Sequence, residues 1–325
     1  MLGICVVGCG SFAKTFAQGI SPLRDRVNLF FASRDLLRAQ EYSDQFGGAG
    51  AFGSYETAAA APQVDAMYLC TPHYLHLEHV RLAAQAGKHI LVEKPIARTL
   101  VEGRQIIDSA QQAGVTLMVA ENYRFMAPVQ ECQRLVKSGE IGDVRLIQLQ
   151  EESPFRPDGW RNRQNLNGGG VLIDGGIHKI HFLRYMAGEP CSIYAAALPK
   201  ALNDLDGEDG VVGIVRWESG TVGLINHSWV ASSQPSPSLV SVSGTKGRLT
   251  FAAGESWLLV EIGDSAETKP MPQDNAGLTT MVQEFINSIR EKREPATSGA
   301  EGLKDLALVL KAYESIDRGT PISVP

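Results

Sequence analysis

Lys94, Asp174 and His178 have side-chain types that could move a proton to and from a hydroxyl group. Lys94 follows the predicted strand 89–92, and in a parallel sheet ligands lie beyond the carboxyl ends of the strands. Pro95 restrains Lys94 to an extended backbone. An ammonium group in this place could hydrogen-bond a hydroxyl and stabilise the alkoxide formed from it. A surface lysine on a loop is the alternative interpretation.

Asp174 and His178 are four residues apart, so on a helix they share one face. A carboxylate beside an imidazole raises its basicity and holds its orientation, as a general base requires. The glycine run at 168–170 would let the backbone approach a ligand closely. We therefore predict a catalytic pair, with a simple surface contact between the two side chains as the alternative.

A glycine-rich turn near the N-terminus has the pattern that binds the pyrophosphate of a dinucleotide. The segment GCGSFA, which starts at Gly8, reads G-x-G-x-x-A between a predicted strand and a predicted helix. Gly8 permits the tight turn, Gly10 allows close approach, and Ala13 lets the helix pack on the sheet. Ser11 and Phe12 open that helix, whose N–H groups can bind phosphate. The pattern alone is weak, but its place at the first strand–helix turn favours dinucleotide binding.

The end of the second predicted strand should select the ribose. An NAD site usually has an acidic side chain there, whereas this sequence has Ser33 followed by Arg34. A hydroxyl and a guanidinium suit a 2′-phosphate, and Arg38, one helical turn further, could assist. We predict NADP(H) as the favoured cofactor. NAD(H) remains possible, because Asp35 could still reach the ribose.

Strands and helices alternate over residues 1–122. The predicted strands are 3–7, 27–33, 66–70, 89–92 and 115–120, and apolar stripes at helical spacing lie between them. This alternation predicts an α/β Rossmann domain, with a doubly wound parallel sheet.

The regular alternation of predicted strands and helices does not continue in residues 123–325. Helices are predicted at 126–138, 278–289 and 303–316, and strands at 144–151, 210–217, 221–230, 239–243 and 248–251. Short glycine-containing turns at 218–220 and 244–247 join neighbouring strands as hairpins. The segment SSQPSPS at 232–238 is expected to be a loop. These features predict an α+β substrate and oligomerisation domain with a large, mostly antiparallel open sheet.

Six segments spread over most of the chain resemble one protein family. They are GICVVGCGSFA, CTPHYLH, AGKHILVEKPIA, ENYRF, GGGVLIDGGIH and SVSGTKGRLTF. In this order they resemble the glucose–fructose oxidoreductase / inositol dehydrogenase / MocA-type (GFO/IDH/MocA) oxidoreductases. The resemblance implies a nicotinamide cofactor and a sugar, polyol or related alcohol as substrate, although some members act on aromatic dihydrodiols or tetrapyrroles. It also implies a homodimer or homotetramer assembled through the open face of the second sheet.

The family's D-x-G-x-H pattern matches Asp174, Gly176 and His178. By resemblance and chemistry together, His178 takes the hydroxyl proton while hydride moves to nicotinamide C4, Lys94 stabilises the alkoxide, and Asp174 orients the imidazole. Reduction runs in reverse. The sequence leaves open whether Lys94 or His178 is the immediate acid and base, since both could share one proton relay.

The sequence gives less information about the remaining candidate site residues. Those expected near the cofactor are Thr71, Pro72, His76, Glu93 and Asn122, with a structural role as the alternative for His76. Those expected near the substrate are Tyr123, Arg124, Trp160 and Arg161, with a core position as the alternative for Trp160.

Three histidines, His73, His76 and His79, have spacings compatible with metal ligands, but no C-x-x-C or H-E-x-x-H accompanies them, so we predict no metal. The family commonly has Asn where this sequence has His73, so a cofactor contact from that position is not expected to carry over.

Composition excludes several classes of protein. The net charge is −6, from 30 basic and 36 acidic residues, and it argues against a nucleic-acid partner. No apolar run is long enough for a transmembrane helix, and no signal peptide is evident. Five cysteines without a C-x-x-C pair fit a reducing cytoplasm.

Two other functions compete with a dehydrogenase on this fold. One is a glycosidase or epimerase that uses tightly held NAD transiently, and the other is a non-catalytic NADP-sensing regulator. The second is disfavoured because Lys94, Asp174 and His178 are all present.

Overall fold

The computed structural model describes residues 1–230 and 236–324. The chain forms two compact units. The first contains Met1–Asn122 and Gly277–Lys304, and the second contains Tyr123–Ala276 and Asp305–Pro325.

The first unit is built on a six-stranded parallel sheet. Its elements up to residue 122 are β1 (Leu2–Val7), α1 (Ser11–Gly19), β2 (Val27–Ala32), α2 (Leu36–Phe46), β3 (Gly50–Phe52), α3 (Tyr55–Ala60), β4 (Ala66–Leu69), α4 (His76–Gln85), β5 (His89–Val92), α5 (Leu100–Ala113) and β6 (Leu117–Val119). The strand order is β3-β2-β1-β4-β5-β6, and every pair is parallel. The predicted Rossmann sheet is confirmed. Strand β3 was not predicted, because three residues are too few to show a periodicity.

The order of the strands determines where a ligand can bind. The chain runs outward from β1 to β3 and then returns to place β4 on the other side of β1. The crevice at such a reversal lies outside the carboxyl ends of the strands, and dinucleotides bind there. The loops after β1 and β4 are therefore the walls of the candidate cofactor site.

The remaining elements of the chain include the strands of a second, larger sheet. The elements are α6 (Ala127–Lys137), β7 (Val144–Glu152), α7 (Gln164–Asn167), α8 (Ile177–Ala187), β8 (Ser192–Ala197), β9 (Gly210–Arg216), β10 (Val222–Ser228), β11 (Ser236–Gly244), β12 (Gly247–Ala252), β13 (Trp257–Ile262), β14 (Ser265–Pro270), α9 (Leu278–Glu291), α10 (Gly299–Arg318) and β15 (Ile322–Ser323). The nine strands have the order β14-β13-β12-β11-β7-β10-β9-β8-β15.

This second sheet confirms the predicted mostly antiparallel architecture. Only the β7–β10 pair is parallel, and the predicted hairpins β9–β10 and β11–β12 are both present. Strands β8, β13 and β14 were not predicted. Of the expected loop at 232–238, residues 232–235 lie outside the described residues, and the last three belong to β11.

The segment Gly277–Lys304 differs from the sequence prediction, which assigned it to the second domain. In the structure it belongs to the first unit. The Thr279 hydroxyl donates to the Gly19 carbonyl at 2.7 Å, and the Thr297 hydroxyl donates to the Val119 carbonyl at 2.7 Å. Each contact joins residues that are more than 170 positions apart in sequence, so local sequence patterns could not predict it.

The glycine run at 168–170 is packed against the protein itself. A Cβ on Gly170 would lie 2.0 Å from the Glu208 carbonyl oxygen, and one on Gly169 would lie 2.2 Å from the Tyr313 hydroxyl. The expectation that this run brings backbone close to a ligand is therefore wrong at these two positions, because protein atoms already fill that space.

We predict that Gly170→Ala lowers the melting temperature by several degrees. The new methyl group would force two backbone segments apart, and overpacking of this kind costs about 1–3 kcal/mol or more. Thermal denaturation followed by circular dichroism measures the change.

Gly213→Ala is the matched control in the same unit. Its Cβ would meet its nearest neighbour, the Tyr194 carbonyl oxygen, at an ordinary 3.4 Å. We expect a change of less than about 1 kcal/mol in the free energy of unfolding. Equal melting temperatures for the two variants would contradict the packing described here.

Candidate active site

The loop after β1 contains two glycines that are required for different reasons. Gly8 has a positive φ of 96°, and a Cβ there would lie 2.9 Å from the Cys70 carbonyl oxygen, so the protein itself requires glycine. Gly10 has φ −100° and ψ −176°, which any residue adopts. No described atom lies within 4 Å of its Cβ position. The open space above Gly10 fits the close approach of a pyrophosphate.

Helix α1 starts directly behind this loop. Its N-cap is Gly10, and no described side chain caps it or places an acid in its first turn. Ser11 is exposed, Phe12 is half-buried and Ala13 is fully buried against the sheet. The first N–H groups of α1 therefore remain available to an anion.

At the end of β2, the acidic residue that could compete for a ribose is already engaged. Asp35 caps α2 by accepting from the Leu37 N–H at 3.0 Å, and its own N–H donates to the Ser33 hydroxyl at 3.2 Å. The Arg38 side chain donates to the Cys9 carbonyl at 2.8 Å and so braces the glycine loop. Arg34 is exposed and forms no hydrogen bond or ion pair within the described part of the chain.

Two predicted cofactor residues, Arg34 and Pro72, line one cleft of the first unit. Arg34, Tyr55, Pro72 and His79 line an opening of about 770 Å³ at the ends of β2 and β4. Thr71 is buried behind it, with its hydroxyl 3.0 Å from His79 Nδ1. Tyr55 was not predicted from the sequence, because it lies in a short helix without a motif.

His76 is a structural link between two loops. It is fully buried, with Nδ1 3.0 Å from the Pro95 carbonyl oxygen and Nε2 3.0 Å from the Thr71 carbonyl oxygen. Burial lowers its pKa to about 4, against the opposing effect of the carbonyl oxygens at the two ring nitrogens. It connects the loop after β4 to the loop after β5. His73, His76 and His79 are all buried, and no group of three side chains in the described residues could hold a metal ion.

Lys94 lies immediately after β5, as the sequence predicted, and is half-buried. The Lys94–Pro95 peptide bond is cis. Behind it, the buried Glu93 carboxylate accepts a hydrogen bond from the Tyr68 hydroxyl. Burial raises the pKa of Glu93 to about 7, against the opposing effect of the Lys94 charge. Asn122 is buried in the turn Asn122–Phe125 that follows β6.

In the second unit, Asp174 lies in a π-helical turn, Leu172–Gly176, and His178 lies in the first turn of α8. From the sequence, an ordinary α-helix was predicted for the segment that contains Asp174 and His178. In a π-helix the hydrogen bonds run from residue i to i+5, and such turns occur frequently at functional sites. Asp174 and His178 are both about 8% exposed.

Two residues that the sequence analysis missed hold the start of this turn. The Tyr313 hydroxyl accepts from the N–H groups of Gly170 and Ile173, each at 3.2 Å, and donates to Glu208 at 3.0 Å. Glu208 also accepts from the Leu172 N–H at 2.8 Å. Burial raises the pKa of Glu208. Neither Tyr313 nor Glu208 belongs to a sequence motif, and both are distant in sequence from the turn that they contact.

Three of the four predicted substrate residues gather at this pair. The Arg161 guanidinium lies 3.3 Å from the Asp174 carboxylate and 4.6 Å from the Trp160 ring centroid. The Tyr123 ring stacks on His178, with centroids 4.0 Å apart and planes 8° from parallel. Arg124 instead lies over the Tyr185 ring at 4.2 Å. A nearly buried imidazole whose ring is held by stacking is suited to general acid–base chemistry.

Comparison with known proteins identifies the family of both parts of the chain. Residues 2–121 match the oxidoreductase family with an NAD-binding Rossmann fold, and residues 129–250 match the GFO/IDH/MocA C-terminal domain. The 1,5-anhydro-D-fructose reductase of Ensifer adhaerens is 26% identical over 321 residues, which cover 97% of this chain and 96% of that protein. The D-xylose 1-dehydrogenase (NADP(+)) 2 of Haloferax volcanii is 30% identical over 306 residues, 90% of each chain.

Among solved structures, levoglucosan dehydrogenase in complex with NADH has the same fold. Its TM-score is 0.91 at 22% sequence identity, covering 100% of this chain and 99% of that one. No helix within the described ranges is long and apolar enough to cross a bilayer. The chain therefore belongs to the GFO/IDH/MocA family of oxidoreductases, with an NAD-binding Rossmann domain at its N-terminus.

Proposed function

We propose that this protein moves hydride between NADP(H) and a secondary alcohol or ketone of a sugar, polyol or similar small molecule. The observation that carries the proposal is a nearly buried His178 imidazole stacked on Tyr123, four residues after a nearly buried Asp174 carboxylate that is paired with Arg161. Relatives named as a sugar reductase and a sugar dehydrogenase support this substrate class.

When bound, the nicotinamide would supply or accept the hydride, and the residues of this chain would handle the proton. His178 takes the proton of the substrate hydroxyl, and the Lys94 ammonium stabilises the developing alkoxide by a charge-assisted hydrogen bond. Asp174, held by Arg161, orients the imidazole. For reduction, His178 returns the proton to the same oxygen.

The glycine loop and the start of α1 would hold the pyrophosphate, and the cleft beside Arg34 would hold the adenosine end. Three observations support NADP(H). Asp35 is engaged as a helix cap, the guanidinium of Arg34 is exposed at the cleft, and one relative is named for NADP(+). A fixed guanidinium fork suits a 2′-phosphate.

We also propose self-association through the open face of the second sheet. Tyr194, Val212 and Ile214 are 38%, 38% and 43% exposed on the neighbouring strands β8 and β9. Exposed apolar patches of this kind commonly mark protein–protein contacts. A homodimer or homotetramer would cover them.

Lys94→Ala and His178→Ala are each predicted to lower kcat by about 10²–10⁴-fold, because positioned acid–base groups contribute that much. Initial rates with a sugar substrate and NADP⁺ measure the effect. Lys137→Ala, at the exposed end of α6, is the matched control and should retain normal rates. Near-normal kcat in both active-site variants would contradict the mechanism.

Gly10→Ala is predicted to weaken NADPH binding by at least about tenfold, because the methyl group would occupy the space needed by the pyrophosphate. The free protein has room for it, so the free energy of unfolding should change by less than about 1 kcal/mol. Fluorescence titration gives the affinity, and thermal denaturation gives the control. Unchanged affinity would argue against this loop as the pyrophosphate site.

Arg34→Gln is predicted to weaken NADPH binding by about 10–100-fold, since a charge-assisted hydrogen bond contributes roughly 1.5–3 kcal/mol. NADH binding should change little, because NADH has no 2′-phosphate. Both dissociation constants are measured on both proteins. Tighter binding of NADH than of NADPH by the unmodified protein would overturn the NADP(H) preference.

A further inference from the structure

Next to the π-helical turn and the start of α8 lies a group of three side chains that the mechanism does not use: the buried Lys179 and His227 and the half-buried Glu151. Lys179, next to His178 in α8, places its ammonium 2.6 Å from the Glu151 carboxylate of β7. Burial alone would raise the pKa of Glu151, but the charge of Lys179 and its hydrogen bond lower it to about 2. The ion pair therefore ties α8 to β7 at neutral pH.

His227 stands beside this ion pair on the adjacent strand. It is directly opposite Glu151 in the parallel β10–β7 register, and its Nε2 lies 4.0 Å from the Glu151 carboxylate. The ring is 2% exposed. Its Nδ1 has no hydrogen-bond partner in the described part of the chain. Burial first, and then the Lys179 charge, lower the pKa of His227, so its imidazole is neutral.

The same ring packs on the π-helical turn. A Cβ on Gly175 would lie 2.7 Å from His227 Cε1, and one on Gly176 would lie 3.6 Å from His227 Nδ1. Gly175 is the residue directly after Asp174, and Gly176 lies two residues before His178. The ring can approach this closely only because Gly175 has no side chain.

We propose that His227 is a positioning residue for the Asp174–His178 pair. The His227 ring is supported by the Glu151–Lys179 ion pair. It sets the distance between the Gly175 backbone and the second sheet, and this distance determines the position of the catalytic imidazole. Gly175 and His227 form a matched pair, in which a side chain at one position is compatible only with a small side chain at the other. This inference rests on the proposed function.

A double-mutant cycle tests the matched pair. Gly175→Ala and His227→Ala are each expected to lower kcat by about 10–100-fold with little change in KM, since misplacement of a catalytic group by about 1 Å can cost 10²-fold. In the His227→Ala background the added methyl group has room. Gly175→Ala should then reduce kcat by less than about threefold further, because contacting residues are not additive.

His227→Phe separates packing from polarity. The phenyl ring keeps the contact with Gly175 and has no unpartnered nitrogen, so kcat should stay within about threefold of the unmodified protein. This conservative variant also keeps the test informative where Gly175→Ala does not fold. Gly213→Ala serves as the neutral glycine control.

The outcomes distinguish the inference from the function on which it rests. Additive losses in the cycle, or a His227→Phe variant as slow as His227→Ala, would overturn the positioning role. His178→Ala, measured in parallel, reports on the function itself. Normal kcat in that variant would overturn the acid–base assignment and the positioning role with it. NADPH affinity should be unchanged in all the position-175 and position-227 variants.

Discussion

The position of Asp174 and His178 depends on a packing constraint along residues 169–176. Tyr313 accepts two backbone N–H groups of this segment, Glu208 accepts a third, and the His227 ring lies against Gly175. Side chains in an interior packed as densely as a crystal cannot shift independently. The glycines let protein groups come close enough to hold the π-helical turn from several sides, and the turn sets the spacing of Asp174 and His178.

The charged side chains of helix α8 are likewise held in place by contacts with neighbouring groups. The helix is buried continuously from Ile177 to Arg184, although it contains two histidines, a lysine and an arginine. Buried charges are costly unless they are paired. Lys179 pairs with Glu151, and Arg184 pairs with Glu189 and Asp305. Such pairs add little net stability, but each one fixes the helix against another element and so contributes to the orientation of His178.

The parts of the molecule that could be predicted from sequence are those specified by local patterns. The G-x-G-x-x-A turn lies between β1 and α1 as expected, and Lys94 follows β5 because a short apolar strand ends in a proline-containing loop. The six-stranded parallel sheet followed from regular alternation of strand and helix.

The parts that could not be predicted depend on contacts between distant residues. The π-helical turn has no periodicity distinct from that of an α-helix over five residues. Tyr313 and Glu208 act on a segment far from them in sequence. The return of Gly277–Lys304 to the first unit likewise depends on backbone contacts that no local signal indicates.

The proposed function and its cofactor preference can be tested directly in one assay. The first unit carries the glycine loop, Arg34 and Lys94, and the second carries Asp174 and His178. A panel of sugars, polyols and keto-sugars can be assayed by the absorbance of reduced nicotinamide, with NADP(H) and NAD(H) side by side. We predict turnover of at least one substrate, faster with NADP(H) at equal concentration. Binding of NADPH without turnover of any substrate in either direction would contradict the proposed function.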